Sequence, residues 1–287
     1  MKIGFLGYGE AARAFHEGLS RPGLSVLAYD ILLDRTDAKI RAAMEERGAM
    51  PVGIAGLGDA DWIFSAVTAD QSFLAVGPLL PHLRQGQVLI DINSVSPGRK
   101  RETAAAVEAA GAEYLDMAVM APVHPKKHTT PVLLAGQPAE RLLPDLLALG
   151  FSASIAGNEP GAATAIKMVR SLFVKGLEAI TVEALLAARA SGCFGEILAS
   201  LSNSYPGLNW PDFAEYQFER TTRHGKRRAA EMHESAATLD ALGLNGGLAR
   251  EIAEVQERMG ACGVAEGRGL AETVAGVLEK RLDRAKT

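Results

Sequence analysis

Six short apolar runs recur through the first half of this chain, helical stretches lie between them, and beyond residues 157–160 the pattern ends. The runs are Ile3–Leu6, Ser25–Tyr29, Trp62–Val67, Val88–Ile92, Tyr114–Val119 and Val132–Ala135. Most are continuously apolar rather than alternating, as in strands covered on both faces of a parallel sheet. Between them, Ala38–Arg47, Ser72–Leu83 and Arg99–Ala110 carry helical spacing. This alternation predicts an α/β fold with a Rossmann-type doubly wound sheet. From Gly161 onward, Ala-, Leu- and Glu-rich stretches are separated only by turn signals, at Ser191-Gly192, Ser204–Gly207, Asn209–Pro211 and Gly243–Gly247. The 287 residues are enough for two domains. We therefore expect a sheet domain over 1–158 and an all-helical domain over 159–287, entered by a long helix from Gly161 to Ala190.

The first apolar run leads into Gly7-Tyr8-Gly9-Glu10-Ala11-Ala12 and then into helical sequence, and an acidic residue, Asp30, ends the second run. Each part has a mechanical role in dinucleotide binding. Gly7 permits a tight turn, Gly9 lets the backbone approach a pyrophosphate, and Ala12 keeps helix and strand close. The helix N-terminus offers unpaired N–H groups and a positive dipole end to the phosphates. Asp30 would accept hydrogen bonds from ribose hydroxyls and repel a 2′-phosphate. The expected cofactor is NAD or NADP, with NAD favoured by Asp30, although Arg35 lies close enough in sequence to meet a phosphate. Gly7, Tyr8, Gly9, Glu10, Ala11, Asp30, Val67 and Thr68 form the expected cofactor set. A βα turn that binds nothing is the alternative.

In the stretch 161–180, Lys167, Ser171, Lys175 and Glu178 fall within an arc of about 80° on a helix, with Arg170 on its flank. Periodicity alone allows this stripe simply to face solvent. Taken with two other motifs, it resembles the β-hydroxyacid dehydrogenases, the group that includes 3-hydroxyisobutyrate dehydrogenase, tartronate semialdehyde reductase and 6-phosphogluconate dehydrogenase. The first motif is GFLGYGEAA. The second, Asp91-Ile92-Asn93-Ser94-Val95-Ser96-Pro97, is similar to the family's substrate-binding D-x-S-[ST]-x-x-P. The third, Gly161 followed by Lys167-Met168-Val169, is similar to the sequence around its catalytic lysine. The resemblance extends over about the first 180 residues, and a helical remainder suits the family's second domain, which serves substrate binding and dimerisation.

The resemblance implies hydride transfer between a nicotinamide and the hydroxyl-bearing carbon of a small 3-hydroxy acid, or of the matching semialdehyde or keto acid. Lys167 would be the catalytic acid–base, with a pKa lowered by desolvation and by like charge from Lys175 or Arg170. Asn93, Ser94 and Val95 would bind the substrate carboxylate beyond a strand's carboxyl end. Met120, His124, Arg170, Ser171, Lys175 and His224 complete the expected substrate set.

The chain departs from the family in three places. The family's D-A-P-V-S-G-G loop is replaced by Asp116–Pro122 and then Val123-His124-Pro125-Lys126-Lys127-His128, which brings two histidines and two lysines. Arg170 and Ser171 stand where the family usually carries Asn. Val174 occupies the position of the glutamate that assists decarboxylation, so that reaction is not expected. The pattern looks like a bacterial phosphogluconate-dehydrogenase-like subfamily whose C-terminal domain has no assigned role.

The remaining features exclude other classes. A net charge of −4 argues against nucleic acid. Cys193 and Cys262 lack metal-ligand spacing, so neither a metal site nor a disulfide framework is expected. There is no signal peptide and no apolar run of about 18 residues, which points to a cytoplasmic protein away from membranes. The basic cluster Arg220–Arg228 could reach an anion through His224 or Arg227, or form a solvated face. We expect a small anionic metabolite as substrate and a homodimer or homotetramer. An imine or carbonyl reductase of the same fold and a non-catalytic dinucleotide sensor are the alternatives.

Overall fold

The computed structural model describes residues 1–19, 23–35, 37–263 and 269–284. Its strands are β1 (Lys2–Leu6), β2 (Ser25–Tyr29), β3 (Met50–Pro51), β4 (Trp62–Ser65), β5 (Val88–Asp91), β6 (Glu113–Val119), β7 (Val132–Ala135) and β8 (Ala153–Gly157). Its helices are α1 (Glu10–Leu19), α2 (Ile31–Asp34), α3 (Ala38–Glu45), α4 (Ser72–Val76), α5 (Pro97–Ala109), α6 (Ala139–Ala148), α7 (Ala162–Ala190), α8 (Phe194–Ser204), α9 (Asp212–Ala241), α10 (Gly247–Ala261) and α11 (Leu270–Arg284). The chain forms two compact units, Met1–Met168 and Val169–Thr287, and the division falls inside α7.

The first unit is the expected Rossmann-type sheet, with strand order β3-β2-β1-β4-β5-β6-β7-β8. All neighbours run parallel except β6 and β7. After β1 the chain builds outward through β2 and β3, then returns to place β4 on the other side of β1. That reversal opens a crevice beyond the carboxyl ends of β1 and β4, where sheets of this kind hold ligands. Register aligns the neighbouring strand ends: Leu6 opposes Ser65, Ser65 opposes Asp91, and Asp91 opposes Asp116. The segments that follow these residues therefore emerge along one edge.

Both faces of the sheet are apolar, which explains the unbroken hydrophobic runs. Ile3, Phe5, Phe64 and Ile90 point into one core with Phe15 and Phe151, where Phe64 stacks on Phe5 and Phe151 at centroid distances of 5.5 and 6.0 Å. Their alternates Leu6, Ile63 and Leu89 enter the opposite core with Leu57, Val107 and Tyr114.

Several boundaries differ from expectation for local reasons. The stretch Ser72–Leu83 is not one helix: α4 ends at Val76, and Gly77–His82 is 3₁₀, because Pro78 and Pro81 cannot donate to an α-helical ladder. The third apolar run leaves the sheet after Ser65, so Ala66 and Val67 belong to a connecting segment. Helix α5 begins earlier than Arg99, with Pro97 in its first turn and Ser96 as N-cap. Strands β3 and β8 were not anticipated: one has two residues, and the other is the small-residue segment ASIAG.

The second unit contains the rest of α7 and helices α8–α11. Two apolar clusters hold it, one around Val182, Leu185, Phe218 and Val274, the other around Ala179, Met232 and Ile252. Buried charges are interleaved with these clusters. Arg228 grips Glu178 with two nitrogens, and Gln256 Nε2 donates to the same carboxylate at 2.8 Å. Among the described residues, no helix is long and apolar enough to cross a membrane.

Candidate functional site

The glycine loop after β1 closes tightly on its neighbours. Gly7 has φ +86°, its N–H donates to Tyr29 O at 2.8 Å, and an added Cβ would lie 2.6 Å from Ala66 O. Gly9 is the opposite case. It is exposed, and a Cβ there would meet nothing within 4 Å. Glu10 and Ala11 form the first turn of α1, so the open space at Gly9 adjoins the N-terminus of a ten-residue helix. A compact turn beside open space at a helix N-terminus leaves room for a dinucleotide pyrophosphate.

Tyr8 offers a cofactor its backbone and not its side chain. Its side chain is fully buried, with the hydroxyl 2.6 Å from His16 Nδ1, and burial pushes the phenol up to about 12. The ring is shared with Phe5 in the core, and only the backbone of Tyr8 belongs to the loop. That backbone is held at both ends: Tyr8 N–H donates to Asp30 Oδ2 at 2.9 Å, and Arg13 Nε donates to Tyr8 O at 2.9 Å. Asp30 Oδ1 also accepts from Leu32 N at 3.0 Å, capping α2. Asp30 thus sets the loop's shape while keeping further lone pairs for a ligand.

Beyond β5, Asn93 and Ser94 take different roles. Asn93 is buried; its Oδ1 accepts from Val67 N at 2.8 Å and its Nδ2 donates to Ser65 Oγ at 2.9 Å. Its amide therefore ties the ends of β4 and β5 together, where a grip on substrate was expected. The Val95 side chain is also fully buried, which removes it as a side-chain contact. Ser94, half-buried, faces Lys167, whose Nζ donates to Ser94 Oγ at 2.5 Å across 73 residues of sequence.

The start of α7 fixes Lys167. Asp116 Oδ2 accepts from both Gly161 N and Thr164 N at 3.1 Å, and Thr164 Oγ1 donates to Val95 O at 2.9 Å. Gly161 has φ +97°, and a Cβ there would lie 2.9 Å from Pro97 O. Beneath the pair, Lys100 is completely buried. Its Nζ lies 3.1 Å from Asp91 Oδ1 and 3.3 Å from Asp116 Oδ1, and donates to Asp91 O at 2.7 Å. Tyr114 donates to Asp91 Oδ2 at 2.7 Å. Burial raises the Asp116 carboxyl above its ordinary range, opposed by the Lys100 ammonium. Lys100, Tyr114 and Thr164 were not singled out from the sequence, and Asp91 and Asp116 appeared there only as the first residues of two motifs. The further signal of an arrangement is a carboxylate within each of two adjacent apolar strands.

Other expected residues lie apart from this pair. Met120 packs half-buried against Ala118, Ala135 and Ala163, while His124 is exposed on the β6–β7 connection. In that connection Lys127 pairs with Glu17 at 3.3 Å, and His128 is buried edge-on to Phe151, so both are folded against the domain. Thr68 is exposed just past Val67. In the second unit, Arg170 is exposed, Ser171 is buried and His224 is half-buried. Lys175 is buried against Glu231 at 2.8 Å, and Glu231 also takes Arg227 at 2.8 Å. Lys175 is therefore a buried cation held in an ion pair. Among the described residues, no group of His, Cys, Asp or Glu is arranged to hold a metal.

Residues 2–145 match the family described as the NAD binding domain of 6-phosphogluconate dehydrogenase, and residues 188–259 match a domain of unknown function, DUF1932. A conserved hypothetical protein from Sinorhizobium meliloti 1021 has a solved structure that is 34% identical, with a TM-score of 0.76 over 98% of this chain and 96% of that one. The NAD-dependent L-serine dehydrogenase of Pseudomonas aeruginosa is 24% identical over 73% of this chain and 71% of its own length. Mitochondrial 3-hydroxyisobutyrate dehydrogenase of Mus musculus is 22% identical over 72% of this chain, which spans 63% of the mouse protein. Imine reductases share the fold at lower identity.

Proposed function

This chain belongs to the 6-phosphogluconate dehydrogenase-like group of 3-hydroxyacid dehydrogenases, and on that premise we propose that it oxidises a small 3-hydroxy acid, or reduces the corresponding semialdehyde or keto acid, with NAD favoured over NADP. The observation that carries the reading is the Lys167–Ser94 hydrogen bond of 2.5 Å beside the carboxyl ends of β4 and β5. It puts an amine and a hydroxyl from distant parts of the chain together where a sheet of this type receives ligands.

In this reading the backbone of Gly7–Ala11 and the N-terminus of α1 hold the pyrophosphate, and Asp30 accepts from the ribose hydroxyls. The bound nicotinamide supplies hydride exchange with the hydroxyl-bearing carbon. Lys167, as the neutral amine, takes the hydroxyl proton on oxidation and returns it on reduction. Ser94 fixes the direction of the lysine and donates to the substrate's oxygen. Asn93 acts behind it, keeping the Ser94 loop and the Val67 segment in register. Seven positions past Lys167, Val174 cannot deliver a second proton, so the reaction stops at the carbonyl product without decarboxylation. We assign cofactor binding to residues 1–158, and substrate selection and self-association as a homodimer or homotetramer to 159–287, in a cytoplasmic enzyme.

The test is absorbance at 340 nm with NAD and NADP against a panel containing 3-hydroxyisobutyrate, L-serine and related 3-hydroxy acids. Turnover of at least one panel member is expected, faster with NAD. Tight NADH binding with no turnover of any panel member would overturn the reading in favour of a sensor. Turnover of cyclic imines alone would move the chain to the reductases.

A further inference from the structure

Three charges sit under the Lys167–Ser94 pair with almost no access to water: Asp91 is 1% exposed, and Lys100 and Asp116 are 0%. Such a group is a poor way to hold a core together. Desolvating charged groups is costly, and apolar side chains of similar volume often hold a fold as well or better. What the triad does that apolar residues could not is make directed hydrogen bonds to the backbones on either side. On one side, Asp91 Oδ1 accepts from Asn93 N at 2.9 Å, fixing the segment that carries Ser94. On the other, Asp116 Oδ2 accepts from Gly161 N and Thr164 N, fixing the first turn of the helix that carries Lys167. Lys100 bridges the two carboxylates, which lie opposite each other on β5 and β6. Thr164 closes the circuit through Val95 O, next to Ser94.

Resting on the dehydrogenase reading above, we propose that Lys100 and Asp116 are positioning residues that hold Lys167 at hydrogen-bonding distance from Ser94. They touch neither substrate nor cofactor. They act through the placement of the α7 first turn relative to the 93–95 segment. Thr164 is the lighter member of the same fixture, because its loss removes one hydrogen bond and no charge.

Two variants and two readouts test this. Asp116→Asn replaces the ionised acceptor of the two α7 bonds by a weaker neutral amide oxygen and removes one charge from the triad. Thr164→Val is nearly isosteric and leaves all three charges. The first readout needs no substrate: limiting acetic anhydride is applied to the full chain and acylation of each lysine is counted by mass spectrometry. Exposed Lys226 on α9 serves as the internal reference. Both variants are expected to acylate Lys167 several-fold faster relative to Lys226, with NADH affinity unchanged, since the glycine loop lies outside the fixture. The second readout is turnover: kcat is expected to fall by about 10–100-fold in Asp116→Asn, and to fall no further when that change is added to Lys167→Ala. Unchanged Lys167 acylation in a folded Thr164→Val and a folded Asp116→Asn would overturn the proposal. If Asp116→Asn does not fold, Thr164→Val alone decides. If the wild type turns over nothing, the dehydrogenase reading fails while acylation still tests the fixture.

Discussion

Two glycines two residues apart are expected to respond to the same substitution in opposite ways. Gly7→Ala puts a side chain on a backbone at φ +86°, with its Cβ 2.6 Å from Ala66 O and 2.7 Å from Val67 Cγ1. A left-handed conformation costs a non-glycine residue about 1–2 kcal/mol, and forcing a methyl into an occupied space about 1–3 kcal/mol more. The sum, roughly 2–5 kcal/mol, is a large share of the 5–15 kcal/mol that typically holds a protein together, and should lower Tm by roughly 5–15 °C. Gly9→Ala has no such cost, because its backbone is not left-handed and its Cβ meets nothing within 4 Å. Its stability should stay within about 1 kcal/mol of the parent. The same methyl would enter the open space assigned to the pyrophosphate, and NADH affinity should fall about ten-fold or more, equivalent to about 1.4 kcal/mol. Thermal denaturation paired with fluorescence titration of NADH measures both quantities. Full NADH affinity in Gly9→Ala, or equal destabilisation of the two variants, would refute the cradle.

Three further outcomes are expected. Gly161→Ala, at φ +97° and with its Cβ 2.9 Å from Pro97 O, should cost about 1–3 kcal/mol in denaturant melts and reduce turnover while sparing NADH affinity. Burial first, and then the Arg47 charge, lower the His16 pKa from 6.5, so the unfolded chain takes up a proton that the native one resists. The resulting stability is complete above pH 6.5 and is lost as pH falls through the depressed native value, with a slope of at most about 1.4 kcal/mol per pH unit. His16→Gln, which keeps an acceptor for Tyr8, should flatten that part of a Tm-versus-pH curve. Arg228→Met strands the buried Glu178 carboxylate and should destabilise the helical unit by about 3–5 kcal/mol, with Glu178→Leu in the same chain recovering most of the loss by calorimetry.

The sheet was legible because its causes are local. Continuous apolar runs identify strands covered on both faces, and Gly7, Gly9 and Asp30 announce a βα turn within about 25 residues. The breaks after α7, α8 and α9 fall at the glycine and proline signals for the same reason, while the one between α10 and α11 was not anticipated. The candidate site was legible only in part. Ser94 and Lys167 are 73 positions apart, and it was motif resemblance, not spacing, that joined them. Asp91, Lys100 and Asp116 could not be read as a unit, since their meeting depends on the β5–β6 register and on where α5 packs. The side-chain directions of Tyr8 and Lys175 were hidden for a different reason. A glycine motif names Tyr8 without saying that only its backbone faces the loop, and helical periodicity groups Lys175 on one face without saying whether that face meets solvent; both side chains turn inward to partners, His16 and Glu231.

The central claim is that Lys167 moves the substrate proton and does not build the cofactor site. The most direct test is Lys167→Met, with NADH affinity and kcat/KM measured on the same preparation for whichever 3-hydroxy acid the wild type oxidises. The account predicts an NADH Kd within about two-fold of wild type and a loss of kcat/KM of about 10²–10⁴-fold. Turnover that survives the substitution would contradict it, as would a loss of activity that simply follows a loss of NADH binding.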